Sequence, residues 1–197
     1  MKKKTILTSW LFILSVLSFA QKNNSFRLLL IGEYAPPFVS ESTNGVIHFP
    51  SDYANKWKIL FSYPADFDTV STTEILELAA LQKDFKKLGV QLLVLSTDSL
   101  QRHKKWKAML NKAYYKGRDP TAVKFSIIDD YKQTVSKEYG LLDQNSFEAK
   151  DMRVVYFIDP ENKIETVFIY PINVGRNITE IKRIIIALKN ANYKGGL

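Results

Sequence analysis

The sequence predicts an α/β domain in which a mixed central sheet has helices on both faces. Two observations support this expectation. Short apolar runs typical of buried strands alternate along the chain with segments whose apolar residues recur at helical spacing. Near the carboxyl end, two strand segments follow one another across a short polar turn, which predicts an antiparallel pair within the sheet.

The strand predictions rest on apolar runs bounded by turn residues. The segment 56–63 is apolar throughout its middle, as a central strand buried on both faces would be. Asn44-Gly45 predicts a hairpin turn, and Asp159-Pro160-Glu161-Asn162 predicts the tight turn of the last hairpin. The predicted strands are residues 28–31, 46–49, 56–63, 90–95, 125–128, 152–158 and 163–170.

The helix predictions rest on apolar spacing and end signals. Glu74 stands in the first turn of the first long helix and Gly89 follows its end. Ser99 can cap the second helix, and Asn177 or Thr179 the last. The predicted helices are residues 72–88, 99–114, 131–139 and 177–191.

Length and composition predict one domain. The chain has 197 residues, of which 46% are hydrophobic, enough apolar material for one core. We expect that domain to span residues 21–197. The chain contains no cysteine, which excludes disulfides, thiol chemistry, iron–sulfur clusters and cysteine zinc sites.

The first 20 residues have the layout of a secretory signal peptide. Three lysines precede an uncharged apolar run over 6–19, and Ser18-Phe19-Ala20 predicts cleavage between Ala20 and Gln21. An uncleaved anchor is the alternative, but the run is shorter than the roughly 18 to 20 residues that span a bilayer. We therefore expect an exported protein, periplasmic or secreted, with no stable membrane anchor.

Charge and histidine content argue against several partner classes. The net charge is +8, and removing the three charges of lysines 2–4 leaves +5 without any basic and aromatic pattern typical of nucleic-acid binding. His48 and His103 are far apart in sequence, and neither belongs to a motif with a nearby acidic companion. We expect no nucleic acid, no metal and no cofactor.

The loop between the central strand and the first long helix carries a recognisable pattern. Residues 63–74 read Tyr-Pro-Ala-Asp-Phe-Asp-Thr-Val-Ser-Thr-Thr-Glu. This segment resembles the active-site loop of the peroxiredoxins, in which Pro, three residues, Thr or Ser, two residues and then Cys lead into the helix. Pro64 and Glu74 fit that pattern. Asp68 stands where the family has Thr or Ser, and Ser71 stands where it has the peroxidatic Cys.

Further sequence blocks extend the resemblance from residue 28 to about 190, and their residues are most similar to those of the one-cysteine subfamily. The resemblance implies a thioredoxin-like fold and a homodimer. It also implies that Arg153 and Glu74 lie beside the reactive residue. The blocks are Leu30-Ile31-Gly32 through Phe38, Leu95-Ser96-Thr97-Asp98-Ser99, residues 125–130, residues 153–160 and Tyr170-Pro171 through Gly175-Arg176-Asn177.

The two departures from the pattern both argue against peroxide reduction. A cysteine at a helix start near Arg153 becomes a thiolate, attacks the O–O bond and forms a sulfenic acid. The hydroxyl of Ser71 is a far weaker acid, and oxygen has no equivalent of the sulfenic acid. An ionised Asp68 accepts but cannot donate hydrogen bonds, and we expect it to pair with Arg153 and fill the substrate pocket.

The residues of this site can also have purely structural roles. Ser71 and Thr72 can be helix caps, Arg153 an ordinary salt-bridged arginine and Glu74 a helix-start residue that suits the helix dipole.

Three functions follow. We favour a pseudo-peroxidase with a binding or scaffold role, whose residual pocket could take a small anion or peroxide. The first alternative is an enzyme, either an active peroxiredoxin-type antioxidant oxidoreductase or a different enzyme whose chemistry does not use a cysteine. The second alternative is an interaction module. That module would use the basic side of the second helix, which carries Arg102, Lys104, Lys105, Lys107 and Lys112.

Overall fold

The computed structural model describes residues 27–143 and 150–194, so the predicted signal peptide lies outside the described residues. Five strands form one mixed sheet in the order β5-β4-β3-β6-β7, and β1 and β2 form a separate hairpin. The strands are β1 Phe38–Ser40, β2 Ile47–Phe49, β3 Trp57–Ser62, β4 Val90–Ser96, β5 Ser126–Asp129, β6 Arg153–Ile158 and β7 Ile164–Tyr170.

Four helices cover the sheet, which confirms the predicted α/β class. They are α1 Thr69–Lys87, α2 Leu100–Leu110, α3 Thr134–Glu138 and α4 Ile178–Lys194. The central strand β3 is buried along its whole length, and its side chains alternate between two apolar cores. Ile59 and Phe61 face the core that includes residues of α1, α2 and α4, whereas Leu60 faces the core that includes α3 and the β1-β2 hairpin.

The predicted strand at 28–31 is wrong. These residues form no strand, and Leu30 and Ile31 expose 62% and 67% of their surface. The chain turns here instead, with the Leu30 N–H donating to the Glu33 carboxylate at 2.6 Å and Gly32 in the left-handed region at φ +92°. An apolar run alone does not distinguish a strand from an apolar segment that packs across the end of a sheet.

Several helices start or end at other residues than the sequence predicts. Helix α1 starts three residues early, because Asp68 rather than Ser71 or Thr72 provides the cap. Helix α2 ends at Leu110 instead of continuing to residue 114, and α3 is shorter than predicted. The predicted cap of α4 is confirmed, since Asn177 Oδ1 accepts from the N–H groups of Thr179 and Glu180 at 3.0 and 3.2 Å.

The two edges of the five-stranded sheet differ. The edge strand β5 is covered by the segment that follows β1, whose Glu41 carbonyl accepts from Asp129 N–H and whose Thr43 N–H donates to the Ile127 carbonyl. At the other edge, residues 32–35 cover only the beginning of β7. The rest of β7 pairs with β6 alone within the described chain.

Candidate functional site

The site forms where β3 ends and α1 begins. Pro64 is buried in the short connection, and Phe67 adopts a left-handed backbone at φ 64°, which is uncommon for a bulky residue. The next residue, Asp68, is the N-cap of α1, and its side chain accepts a hydrogen bond from the Ser71 backbone N–H at 2.8 Å. The turn thus places Asp68 and Ser71 side by side at the start of the helix.

Ser71 is fully buried and its hydroxyl is fully engaged. Its Oγ donates to Asp68 Oδ2 at 2.8 Å and accepts from Arg153 Nη1 at 3.1 Å. The neighbouring Thr72 is no cap either, because its hydroxyl oxygen accepts from the Trp106 indole N–H at 3.3 Å. The residue at the peroxidatic position is therefore held in place and shielded from solvent.

Arg153 binds both acidic residues of the site. It begins β6, the antiparallel neighbour of β3, and is 1% exposed. Its guanidinium donates to Asp68 Oδ2 at 2.7 Å and to Glu74 Oε2 at 2.8 Å, and its Nε donates to the Ile172 carbonyl at 2.6 Å. The predicted pairing of Asp68 with Arg153 is confirmed, and Arg153 is a buried network residue rather than a surface arginine.

A second arginine belongs to the same network and was not predicted as a site residue. Arg176 donates to Glu74 through its backbone N–H, Nε and Nη2 at 2.6 to 2.8 Å, and its guanidinium lies over the Phe61 ring, 3.3 Å from the centroid. Burial lowers the pKa of Arg176 to about 10, against the opposing effect of Glu74, so it stays charged at neutral pH. Its place in the Gly175-Arg176-Asn177 block was the available signal.

The charges of this network cancel. Two arginines, Arg153 and Arg176, face two carboxylates, Asp68 and Glu74, so the formal sum is zero. With a neutral threonine at residue 68, the same network would carry one net positive charge. A net positive charge at a helix start favours a bound anion or a thiolate, and Asp68 removes it.

Burial and hydrogen bonding act on the pKa of Asp68 in opposite directions. Partial burial acts to raise it, but the Ser71 N–H, the Arg153 guanidinium and the Ser71 hydroxyl together lower it below its ordinary value. A carboxylate with a lowered pKa is a weak base, so Asp68 is poorly suited to activate the Ser71 hydroxyl as a nucleophile. With Arg153 engaged on Asp68, the geometry does not favour the small anion or peroxide that the residual pocket could have taken.

A second buried polar cluster lies beside the loop. His103 pairs with an acidic residue from a distant part of the chain, because its Nδ1 lies 2.8 Å from Asp66 Oδ2. The Tyr63 hydroxyl donates to Asp66 Oδ1 at 2.6 Å, and His103 Nε2 lies 3.1 Å from the Ile128 carbonyl. The pair joins residues 37 positions apart, so sequence proximity could not have indicated it. It anchors the loop to α2 and β5.

The basic side of α2 is partly used within the molecule. Lys107 donates to Asn44 Oδ1 at 2.7 Å, and Arg102 donates to the Asp66 carbonyl and stacks over Phe67. Lys104, Lys105 and Lys112 stay exposed. Within the described ranges, no three His, Asp or Glu side chains come together as a metal site, and no helix there is long and apolar enough to cross a membrane.

A mixed five-stranded sheet whose central strand leads through a Pro-containing loop into a helix start beside a buried arginine defines a protein of the thioredoxin-like fold class. The sequence profile of the AhpC/TSA family matches residues 31–167. The chain belongs to this family, the peroxiredoxins.

The relatives agree with this assignment. A peroxiredoxin of Methanosarcina mazei is 46% identical over 167 residues, covering 84% of this chain and 76% of that protein. A yeast mitochondrial one-cysteine peroxiredoxin has a similar structure, with a TM-score of 0.77, 36% identity and coverage of 85% and 80% of the two chains. A cysteine-to-serine variant of peroxiredoxin 6 from Arenicola marina gives a TM-score of 0.75 at 33% identity, covering 82% and 74%.

Proposed function

We propose that this protein is a peroxiredoxin-fold pseudo-peroxidase that has lost thiol-dependent peroxide reduction and serves a binding or scaffold role. One observation carries the proposal. The side chain at the peroxidatic position is a buried serine whose hydroxyl is bonded to Asp68 and Arg153, in a chain without any cysteine. A serine hydroxyl cannot be oxidised to a sulfenic acid, and Arg153 is already paired with the Asp68 carboxylate.

The first test measures peroxide consumption. Residues 21–197 are supplied with hydrogen peroxide or an organic hydroperoxide and a thiol reductant, and we expect consumption at the rate of the buffer alone. Consumption well above that rate would overturn the proposal and favour the alternative, an active antioxidant oxidoreductase.

The second test restores the chemistry in two steps. Ser71→Cys alone returns the thiol but leaves Asp68 beside it, and a neighbouring negative charge raises the pKa of a thiol. We expect Ser71→Cys with Asp68→Thr to reduce peroxide at least about tenfold faster than Ser71→Cys at neutral pH. Equal rates for the two variants would show that Asp68 does not disable the pocket.

We also propose that the protein is exported after loss of residues 1–20. The support is the charged start, apolar run and Ser18-Phe19-Ala20 sequence of that segment. Mass spectrometry of protein from cell fractions should find a chain that begins at Gln21 outside the cytoplasm. A cytoplasmic protein that retains Met1 would contradict export.

We further propose a homodimer formed through the open edge of β7. Within the described ranges, the outer side of this strand is covered only at its beginning, and Ile169 and Ile172 nearby expose 55% and 46% of their surface. Unpaired strand edges with apolar side chains favour pairing with another chain, and a second copy supplies an identical edge.

A further inference from the structure

A lysine-rich cleft of about 650 Å³ lies at the far end of α1 from Ser71. Four lysines from three separate parts of the chain line it: Lys56 precedes β3, Lys83 and Lys86 lie on α1, and Lys124 precedes β5. At 1.5 Å per helical residue, Lys86 is about 20 Å along the axis from Ser71. The cleft is therefore separate from the Ser71 site.

Among the described residues that line this cleft, none carries a carboxylate. The three acidic residues of α1 are each paired with cations elsewhere: Glu74 with Arg153 and Arg176, Glu77 with Lys116 and Arg118, and Asp84 with Lys182. Among the described residues, none of the four cleft lysines forms an ion pair. Like charges brought together without counter-charges repel one another, so their convergence favours an anion between them.

The helix dipole at the C-terminal end of α1 does not explain why these four lysines lie together. Cations near a helix C-terminus interact favourably with the dipole, and Lys86 lies in the last turn. However, the Leu88 carbonyl at that end already accepts from Lys189 Nζ at 2.7 Å. Lys56 and Lys124 belong to other parts of the chain, so the dipole gives no reason for them to border the same cleft.

The floor of the cleft is apolar and fixed. Val90, Leu92 and Phe125 line it and are at most 6% exposed. Gln82 holds the segment that carries Lys124, since its Oε1 accepts from the Lys124 N–H at 2.8 Å and its Nε2 donates to the Ala122 carbonyl at 2.7 Å. A rigid apolar floor below a cationic rim fits a ligand that has an apolar body and several anionic groups.

We propose that this cleft binds a small organic polyanion, with two or more phosphate, sulfonate or carboxylate groups at the lysines and its apolar body on the floor. The cleft volume lies within the range of small-molecule sites, and its concave shape suits a compact ligand better than a flat membrane surface.

The probe for this proposal is pyrene tetrasulfonate, a flat aromatic polyanion whose fluorescence reports binding to the purified protein. We expect one saturable site, weaker competition by tripolyphosphate, which lacks an apolar body, and no binding of neutral pyrene methanol. In ¹⁵N spectra, the amides of Val90, Gln91 and Leu92 should shift on titration. Lys83→Gln with Lys124→Gln should weaken binding at least about tenfold, as the loss of two close charge pairs predicts.

The matched control is Lys104→Gln with Lys105→Gln, which removes two exposed charges from α2 and gives the same net charge. Binding to this variant should stay unchanged. Equal weakening in both variants, tight binding of the neutral probe, or no saturable binding would each overturn the proposal. Lysine-dependent binding to phosphatidylglycerol vesicles, without any competition by the soluble probe, would also overturn it, in favour of a membrane contact.

Discussion

At the scale of single residues, one carboxylate oxygen accounts for much of the Ser71 site. Asp68 Oδ2 accepts from the Ser71 N–H, from the Ser71 hydroxyl and from Arg153, all within 2.8 Å. The same atom caps α1, fixes the serine and neutralises the arginine. A neutral residue here could perform the first of these roles but not the last, which is why Asp68 matters as much as the missing cysteine.

Asp68→Asn should show a pH-dependent cost in stability. Asparagine keeps a capping oxygen but has no charge for Arg153. The pKa of Asp68 is lowered on folding, so its carboxylate stabilises the folded state above its ordinary pKa of 3.8, and this contribution is lost as the pH falls through the lower folded value. Urea unfolding at pH 7 should show the native protein more stable than the variant, with a smaller difference at pH 3. A difference that does not change with pH would mean that the charge of Asp68 does not contribute.

Glu74→Gln should destabilise the protein strongly. Glu74 is 3% exposed and is the shared partner of two buried arginines, so removing its charge leaves Arg153 with Asp68 alone and takes the carboxylate partner from Arg176. Breaking a buried ion pair from one side costs about 3 to 5 kcal/mol in the free energy of unfolding.

The matched control for this change is Glu77→Gln on the same helix. Glu77 pairs with Lys116 and Arg118, which are largely solvent-exposed, and such pairs contribute little. Urea unfolding should therefore show a much smaller loss for Glu77→Gln. Comparable losses in the two variants would contradict a special role for the buried network.

At the scale of elements, the end of α3 shows how short-range signals and tertiary contacts combine. The helix ends just before Gly140, which takes the left-handed region at φ +66°. The sequence did not indicate that the backbone of Arg27 and Leu28 passes directly over this glycine. The backbone of residues 27 and 28 therefore packs on the end of α3, and the run at 28–31 forms no strand.

Gly140→Ala should cost more than a left-handed backbone alone explains. An added Cβ would overlap the backbone carbonyl of Arg27, which cannot move as freely as a side chain. Gly117→Ala is the control, because Gly117 has a similar φ of +70° with nothing within 4 Å of the added atom. We expect a loss of about 1 kcal/mol for Gly117→Ala and roughly 2 kcal/mol or more for Gly140→Ala in urea unfolding. Equal losses would show that the N-terminal segment does not pack on Gly140.

At the scale of the whole molecule, the sheet has one protected edge and one open edge. Residues 41–43 cover β5, whereas most of β7 has no outer partner in the part of the chain that the structure describes. An open edge bordered by exposed isoleucines is the surface where two copies can extend one sheet into another. The Ser71 site and the lysine cleft lie at opposite ends of α1.

Ile169→Lys should convert a dimer into a monomer. The new charge would lie on the edge where the second copy pairs, and lysine on an edge strand blocks pairing. Val39→Lys is the control, because Val39 is 68% exposed on β1, away from β7. Light scattering after size-exclusion chromatography should find dimers for the native protein and Val39→Lys, and monomers for Ile169→Lys. A native monomer would rule out the homodimer.

The sequence by itself determined the fold class, the order of most elements, the family and the loss of the thiol, because these depend on local periodicity and on residue identity at fixed spacing. It also predicted that Asp68 and Arg153 pair. The tertiary structure decided which atoms carry that pairing across 85 residues, that Arg176 shares Glu74 across 102 residues and that His103 meets Asp66. It also brought four lysines to one cleft. Such contacts depend on how β3, β6 and the helices pack, and no local pattern encodes them.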